Sequence, residues 1–374
     1  MAHSKMRKKK KGRALRLAVS VFILAAVSLV AAVLIKTGSL SADGFRRLFS
    51  GGGTITSRFA FDASSGDAFA DLGGSLAVCS NVGIAVYDKN GEKAFGETVA
   101  LQSPAVASNG EVAVAYDQGG RILKFFTTAG ETKSLTTNGR IIAATVSKSG
   151  YVALSTEESG YKGLVTVYNA KGDEVYNLHS GQGYVLTAQV SPDHKSLAVL
   201  TLTDSGSRVV FFSLSSTDEK ASCTLPGEVA LGIQYTDNSS VLLVSGSALR
   251  LVRDNGKAEE LKDYTDKYLK TFDNGGDGFA VLLLSDYLVG SQGTLTTVDA
   301  TGRTLGTLET TRKVLSVSAK DDSVAVLYDD GLVIYTKNLK ERVRFDETTG
   351  AVKTIMRSGG TALLITTHSA AVCG

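Results

Sequence analysis

Short apolar runs, most of them ending in an aromatic residue and followed by a polar turn, recur along most of the chain. Ile84-Ala85-Val86-Tyr87 leads into Asp88-Lys89-Asn90-Gly91-Glu92, and Val165-Thr166-Val167-Tyr168 into Asn169-Ala170-Lys171-Gly172-Asp173. Thr296-Thr297-Val298 leads into Asp299-Ala300-Thr301-Gly302-Arg303, and Val333-Ile334-Tyr335 into Thr336-Lys337-Asn338-Leu339-Lys340. One strand-end residue per copy gives Tyr87, Phe126, Tyr168, Phe212, Val252, Val298, Tyr335 and Cys373, with gaps of 39, 42, 44, 40, 46, 37 and 38 residues. A repeat of this length made only of strand and turn signals predicts an all-β fold, a β-propeller with one four-stranded blade per copy. Half-buried alternation inside the copies, as in Val324-Ala325-Val326-Leu327-Tyr328, agrees.

Full repeats fall at 67–96, 103–136, 141–178, 185–225, 229–262, 268–308 and 314–345. After 345 only three strands follow, at 352–356, 361–366 and 369–373. An orphan strand, Arg58-Phe59-Ala60-Phe61, precedes the first full repeat and would complete the last blade. Closure from both ends removes the exposed edges of an open array. The expectation is an eight-bladed propeller over 57–374. Seven blades are the alternative, should the weak repeat 229–262 fail to form one.

Ahead of the propeller, Leu17 to Ile35 is a nineteen-residue run without charge, near the roughly 20 residues a helix needs to cross a bilayer. Eight of the forty basic residues lie in positions 1–16, with no acid among them. Basic flanks stay in the cytoplasm, so the remainder is expected outside. The division is a basic cytoplasmic tail at 1–16, a transmembrane helix at 17–35, a Gly- and Ser-rich flexible stem at 36–56 and the propeller beyond. A cleavable signal peptide ending near Ser39-Leu40-Ser41 is the rival, although the apolar run is long for one.

The tail distorts the charge balance. Without it, 32 basic residues face 37 acidic ones in 358 positions, a net of −5. That gives no electrostatic reason to expect nucleic acid. The three cysteines, Cys79, Cys223 and Cys373, show no ligand or disulfide spacing and read as buried strand residues. Only Cys79 and Cys373, in blades that meet when the ring closes, are placed to pair.

No chemical motif survives inspection. Asp273-Asn274-Gly275-Gly276-Asp277-Gly278 resembles a calcium loop but has Gly275 and Leu284 at the third and twelfth positions. It occupies the same slot as Ser108-Asn109-Gly110-Glu111 and Lys320-Asp321-Asp322-Ser323, turns between the two inner strands. Gly181-Gln182-Gly183 has Leu186 where a third glycine belongs and no helix follows. His179, His194 and His368 fall in separate blades, with no partner at metal-ligand spacing. No catalytic, cofactor-binding or metal-binding residue is assigned.

Loop geography is more informative. Second-to-third-strand connections and blade-to-blade connections share one face of the disc. Three are long: 156–163, 285–293 and 263–267. They bring Tyr161, Lys162, Tyr264, Tyr268 and Tyr287 to that face, with Arg140 and Arg312 in related connections. Tyr and Arg are favoured interface anchors, which makes these seven the candidate partner-binding residues.

The basic tail, single apolar helix and divergent repeats such as Val86-Tyr87-Asp88-Lys89-Asn90-Gly91-Glu92 resemble single-pass, membrane-anchored β-propeller proteins of unknown function from clostridia and related Gram-positive bacteria. That resemblance implies a cell envelope and supplies no catalytic residue. More distantly, the repeats are similar to WD40 and quinoprotein-like propellers and to the outer-membrane assembly lipoprotein of the same fold. The recurrent Trp of those proteins is absent, which argues against a quinone cofactor.

The expected function is therefore a membrane-tethered extracytoplasmic module that binds an envelope protein or wall glycan. A propeller enzyme of lactonase, cyclotransferase or quinoprotein type is the alternative. It would need carboxylates or histidines converging at the channel, where 105–107, 142–144 and 315–317 supply mostly small apolar residues. A sensor reporting through the helix has only sixteen cytoplasmic residues for its output.

Overall fold

The computed structural model describes Gly53, residues 55–61 and residues 67–374. By compactness the chain divides into Met1–Thr54 and Ile55–Gly374, and the described strands belong to the second unit. The tail, the apolar run and the stem as far as residue 52 lie outside the described residues, among which no helix is long and apolar enough to cross a membrane.

β1 is Ile55–Ala60. Blade 1 is β2–β5 (Ala68–Leu72, Ser75–Ser80, Gly83–Tyr87, Lys93–Thr98) and blade 2 is β6–β9 (Pro104–Ser108, Ala113–Asp117, Ile122–Thr127, Gly130–Thr136). Blade 3 is β10–β13 (Ile141–Val146, Val152–Thr156, Leu164–Tyr168, Glu174–His179) and blade 4 is β14–β17 (Tyr184–Val190, Ser196–Thr203, Gly206–Ser213, Glu219–Pro226). Blade 5 is β18–β21 (Ala230–Tyr235, Ser240–Ser245, Ala248–Arg253, Ala258–Asp263) and blade 6 is β22–β25 (Tyr268–Asp273, Phe279–Ser285, Gly293–Asp299, Thr304–Thr310). Blade 7 is β26–β29 (Val314–Lys320, Ser323–Tyr328, Gly331–Thr336, Glu341–Phe345). Blade 8 takes β30–β32 (Ala351–Met356, Ala362–Thr366, Ser369–Cys373) from the carboxyl end and β1 as its outer strand. All eight sheets are four-stranded and antiparallel, so 229–262 does form a blade and the seven-blade alternative falls.

The repeated phrase is now explained by its turn. Asp88 Oδ1 accepts the amides of Asn90 and Glu92 at 2.8 and 2.9 Å, and Asn169 and Asp299 do the same two and four residues on. The fourth position must turn left-handed, and Gly91, Gly172 and Gly302 supply it at φ 85, 79 and 82°. Blade 7 places Leu339 there at φ 55°, and burial of its side chain between blades 6 and 7 offsets the strain.

Burial follows from radial position. Second strands such as β3, β19 and β27 are buried along their whole length, because both faces meet neighbouring blades. The core is eight apolar clusters, each joining consecutive blades, and the eighth joins blade 8 to blade 1. In it Phe59 and Phe61 pack on Tyr87, and Phe61 on Phe69. All three cysteines are free and buried, Cys79 and Cys373 in different clusters, so no bond joins them.

Candidate interaction face

Each inner strand starts at the face carrying the blade-to-blade and second-to-third-strand connections, here the long-loop face, and runs to the opposite turn face. β1 runs the other way along β32, with Ile55 opposite Cys373 and Ala60 opposite Ser369. The chain therefore joins the propeller at the turn face.

Six inner strands carry a β-bulge near their start. The register shifts between Ile141 and Ala143, Val185 and Thr187, Ala230 and Gly232, Leu269 and Thr271, Val314 and Ser316, and Ala351 and Lys353. The extra residues are Ile142, Leu186, Leu231, Lys270, Leu315 and Val352. A bulge leaves its extra residue outside the ladder and redirects the side chain. Repeated at one height in blades 3 to 8, it sets five aliphatic side chains and Lys270 in an arc around the axial mouth, with Leu231, Leu315 and Val352 exposed and Leu186 partly buried against the core between blades 4 and 5. Aliphatic surface gathered in one place costs solubility and marks an interaction site.

Blade 6 adds to the arc. Its 286–292 loop carries Tyr287, Leu288 and Val289 with 61, 68 and 84% of their surface exposed. Lys270 donates to the Leu288 carbonyl, which ties the loop to the rim, while Lys267 pairs with Asp286 at 2.6 Å. A pocket of about 460 Å³ lies beside Tyr287, between Leu284, Gly293, Glu309 and Thr311. Next to blade 5, Glu228 accepts from both Arg250 guanidinium nitrogens at 2.7 and 2.8 Å and from Ser245 and Ser247. Burial works against its ionised form, but these donors outweigh it and hold the carboxyl below the usual range. The knot fixes the connection that leaves Val229 and Leu231 exposed.

The seven sequence candidates divide. Tyr161 is exposed and packs on His179, ring centroids 4.6 Å apart, and Lys162 donates to the Tyr184 hydroxyl at 3.0 Å beneath it at the start of blade 4. Tyr268 and Tyr287 are exposed in blade 6, and Arg140 is exposed between blades 2 and 3. Tyr264 is buried, 4% exposed, with its hydroxyl donating to the Ser245 carbonyl at 2.9 Å, so it is a core residue with no free surface. Arg312 is committed within the molecule. Its guanidinium lies 3.7 Å over the Tyr328 ring and its Nε donates to Asp330 at 2.7 Å. Tyr161, Lys162 and Tyr184 form one group, Tyr268 and Tyr287 lie apart from it in blade 6, and among the described residues no hydrogen bond or ion pair joins these two sets to each other or to Arg140 or Arg312. The rim was missed because a bulge is a property of register, while Leu288 and Val289 were legible as an apolar pair inside a long loop.

The turn face is closed differently. Lys148 Nζ lies 3.7 Å from Asp277 Oδ1, joining blade 3 to blade 6 across the axis. The 274–278 turn is laid against blade 7 by a Gly276–Asp321 bridge and by the Asp277 amide on the Asp321 carbonyl at 3.0 Å. That turn is the segment that looked like a calcium loop. Among the described residues no group of three or more His, Cys, Asp or Glu is placed to hold a metal ion.

Residues 52–372 match the family of unknown function DUF5711. The chain belongs to this family. No curated protein matches it. Among solved structures, this DUF5711 propeller is similar to the computationally designed Ika8 protein, with TM-score 0.63 and 13% identity over 84% of this chain and 98% of that one. It is similar to the carboxyl-terminal WD40 domain of Sif2, with TM-score 0.58 and 11% identity over 86 and 96%. BamB from Moraxella catarrhalis aligns at TM-score 0.53 and 14% identity over 86 and 97%. At such identities the likeness is one of fold.

Proposed function

We propose that this DUF5711 protein is a membrane-tethered, extracytoplasmic propeller that holds a protein partner of the cell envelope on its long-loop face. The observation that carries the reading is the aliphatic rim together with the Tyr287–Val289 loop tip tied to it through Lys270. Residues 17–35 provide the tether and residues 1–16 its cytoplasmic end. Aliphatic side chains suit a polypeptide better than a wall glycan, which is usually held by flat aromatic surfaces and polar groups. An enzyme at the channel is not favoured, since the inner strands of blades 2 to 5 carry no charged residue.

The test is co-purification from membranes with Leu231→Asp and Leu315→Asp variants. Both should fold with the wild-type melting temperature and lose one discrete partner band. A partner retained by both variants sinks the assignment of this face, and capture of glycan alone replaces the protein partner.

A further inference from the structure

The axial channel is walled by eight inner strands, bridged at the turn face by Lys148 and Asp277, and open at the aliphatic rim. It contains a charge the docking reading does not use. Lys353 follows the bulge residue Val352 on β30. Thr354 and Met356 face blade 7, where their amides donate to the Ser316 and Ser318 hydroxyls at 3.3 and 3.0 Å. Lys353 points the other way and is exposed as a residue although it stands on an innermost strand. Yet the surroundings desolvate its ammonium and hold it below the usual lysine range while Asp273 of blade 6 pulls it back up, which places it toward the channel. It makes no ion pair or hydrogen bond with a described residue.

Asp273, at the far end of β22, is the carboxylate it senses. Asp273 Oδ1 accepts the Gly275 amide at 2.6 Å, which pins it under the 274–278 turn. From the rim residue Lys270 to Asp273 is three residues, about 10 Å of strand. The other charged side chains of the inner strands are Lys320 at the end of β26, Lys270 on the Leu288 carbonyl, and Asp71 paired with Arg357. Tyr184, Tyr235 and Tyr268 are the remaining titratable groups there.

We propose that this well binds the carboxylate of an apolar ligand, its anionic end on Lys353 and its body against the rim of Ile142, Leu186, Leu231, Leu315 and Val352. The ligand is a small free acid or the carboxyl terminus of a peptide, two sources of one chemistry. The charge of Asp273 offsets that of Lys353 through space and so opposes the ligand. Burial pushes the Asp273 carboxyl up to about 6, against the opposing pull of the Gly275 and Ala319 amides and of Lys353 and Lys320. Below that pH Asp273 is neutral and its charge no longer offsets that of Lys353, so the carboxylate of the ligand meets a more positive well and binding strengthens on acidification.

The test uses the full chain in nanodiscs, with calorimetric titration of 4-methylpentanoate, an apolar tripeptide and its carboxyl amide at pH 5.5 and 8. The expected result is about tenfold tighter binding at pH 5.5, none for the amide, and loss with Lys353→Met but not with Lys353→Arg. Asp273→Asn should bind at both pH values as the wild type does at pH 5.5. Binding of only the small acid or only the tripeptide upholds the site and names its source. Binding that survives Lys353→Met, equal affinity for the amide, or no binding by any probe at millimolar concentration overturns it. Rim variants that lose the protein partner while Lys353→Met keeps it separate this proposal from the docking reading.

Discussion

Arg357 Nε donates to Asp71 Oδ1 across 2.9 Å and joins residues 286 positions apart in the chain. The pair ties the inner strand of blade 8 to that of blade 1, while β1 closes the outer edge of the same blade. The guanidinium is nearly buried and the carboxylate partly so. Arg357→Ala should therefore cost about 2 kcal/mol, less than the ~3–5 of a fully buried pair. Urea unfolding checks this, and a loss within error of zero would make the contact incidental.

Gly91 and Gly119 have nearly the same backbone, φ 85 and 80°. A Cβ on Gly91 would meet the Phe59 side chain at 2.1 Å, whereas one on Gly119 would meet nothing within 4 Å. Gly119→Ala should cost only the left-handed strain, about 1 kcal/mol. Gly91→Ala adds a clash with the closing strand and should cost about 3 kcal/mol. Hydrogen exchange should show the excess as lost protection in β1 and β32, and equal losses in the two variants would refute the contrast.

Burial pushes the Cys79 thiol far up and the Cys373 thiol up to about 12, and raises Cys223 as well. Thiolate is the reactive form, so all three should resist alkylation at pH 8 and react together on unfolding. Intact mass after iodoacetamide measures it directly. Modification of Cys373 in the folded protein would mean that blade 8 opens.

Asp273 makes stability depend on pH. Its folded pKa, about 6, lies above the ordinary 3.8, so the folded state binds the proton more tightly. The contribution is complete below about pH 4 and is lost as pH rises through 6. Asp273→Asn, which stays neutral, should gain stability over the wild type between pH 5 and 7.5. Melting temperatures across that window decide it, and a constant difference would place the carboxyl in water.

The blade count and the closing strand were legible because Asx-turns with a left-handed fourth residue recur in the sequence, as at Asp88 and Asn169. Even Leu339, which breaks the glycine pattern, sits in the right slot. The candidate face was less legible. Tyr264 and Tyr268 stand at the same connection, 263–267, yet one hydroxyl turns inward to Ser245 and the other ring stays outside. The composition of a loop does not say which way a side chain turns. Nor did strand pattern reveal the rim, because a bulge shifts Leu231 or Leu315 out of alternation without changing which residues are apolar.

The most direct test of the central claim is photo-crosslinking in the native membrane from two positions, Leu315 at the rim and Asn255 in a turn-face loop. A discrete adduct from position 315 that disappears with Leu231→Asp, and none from position 255, is the result expected. Adducts from position 255 alone, or a position-315 adduct indifferent to Leu231→Asp, would contradict it.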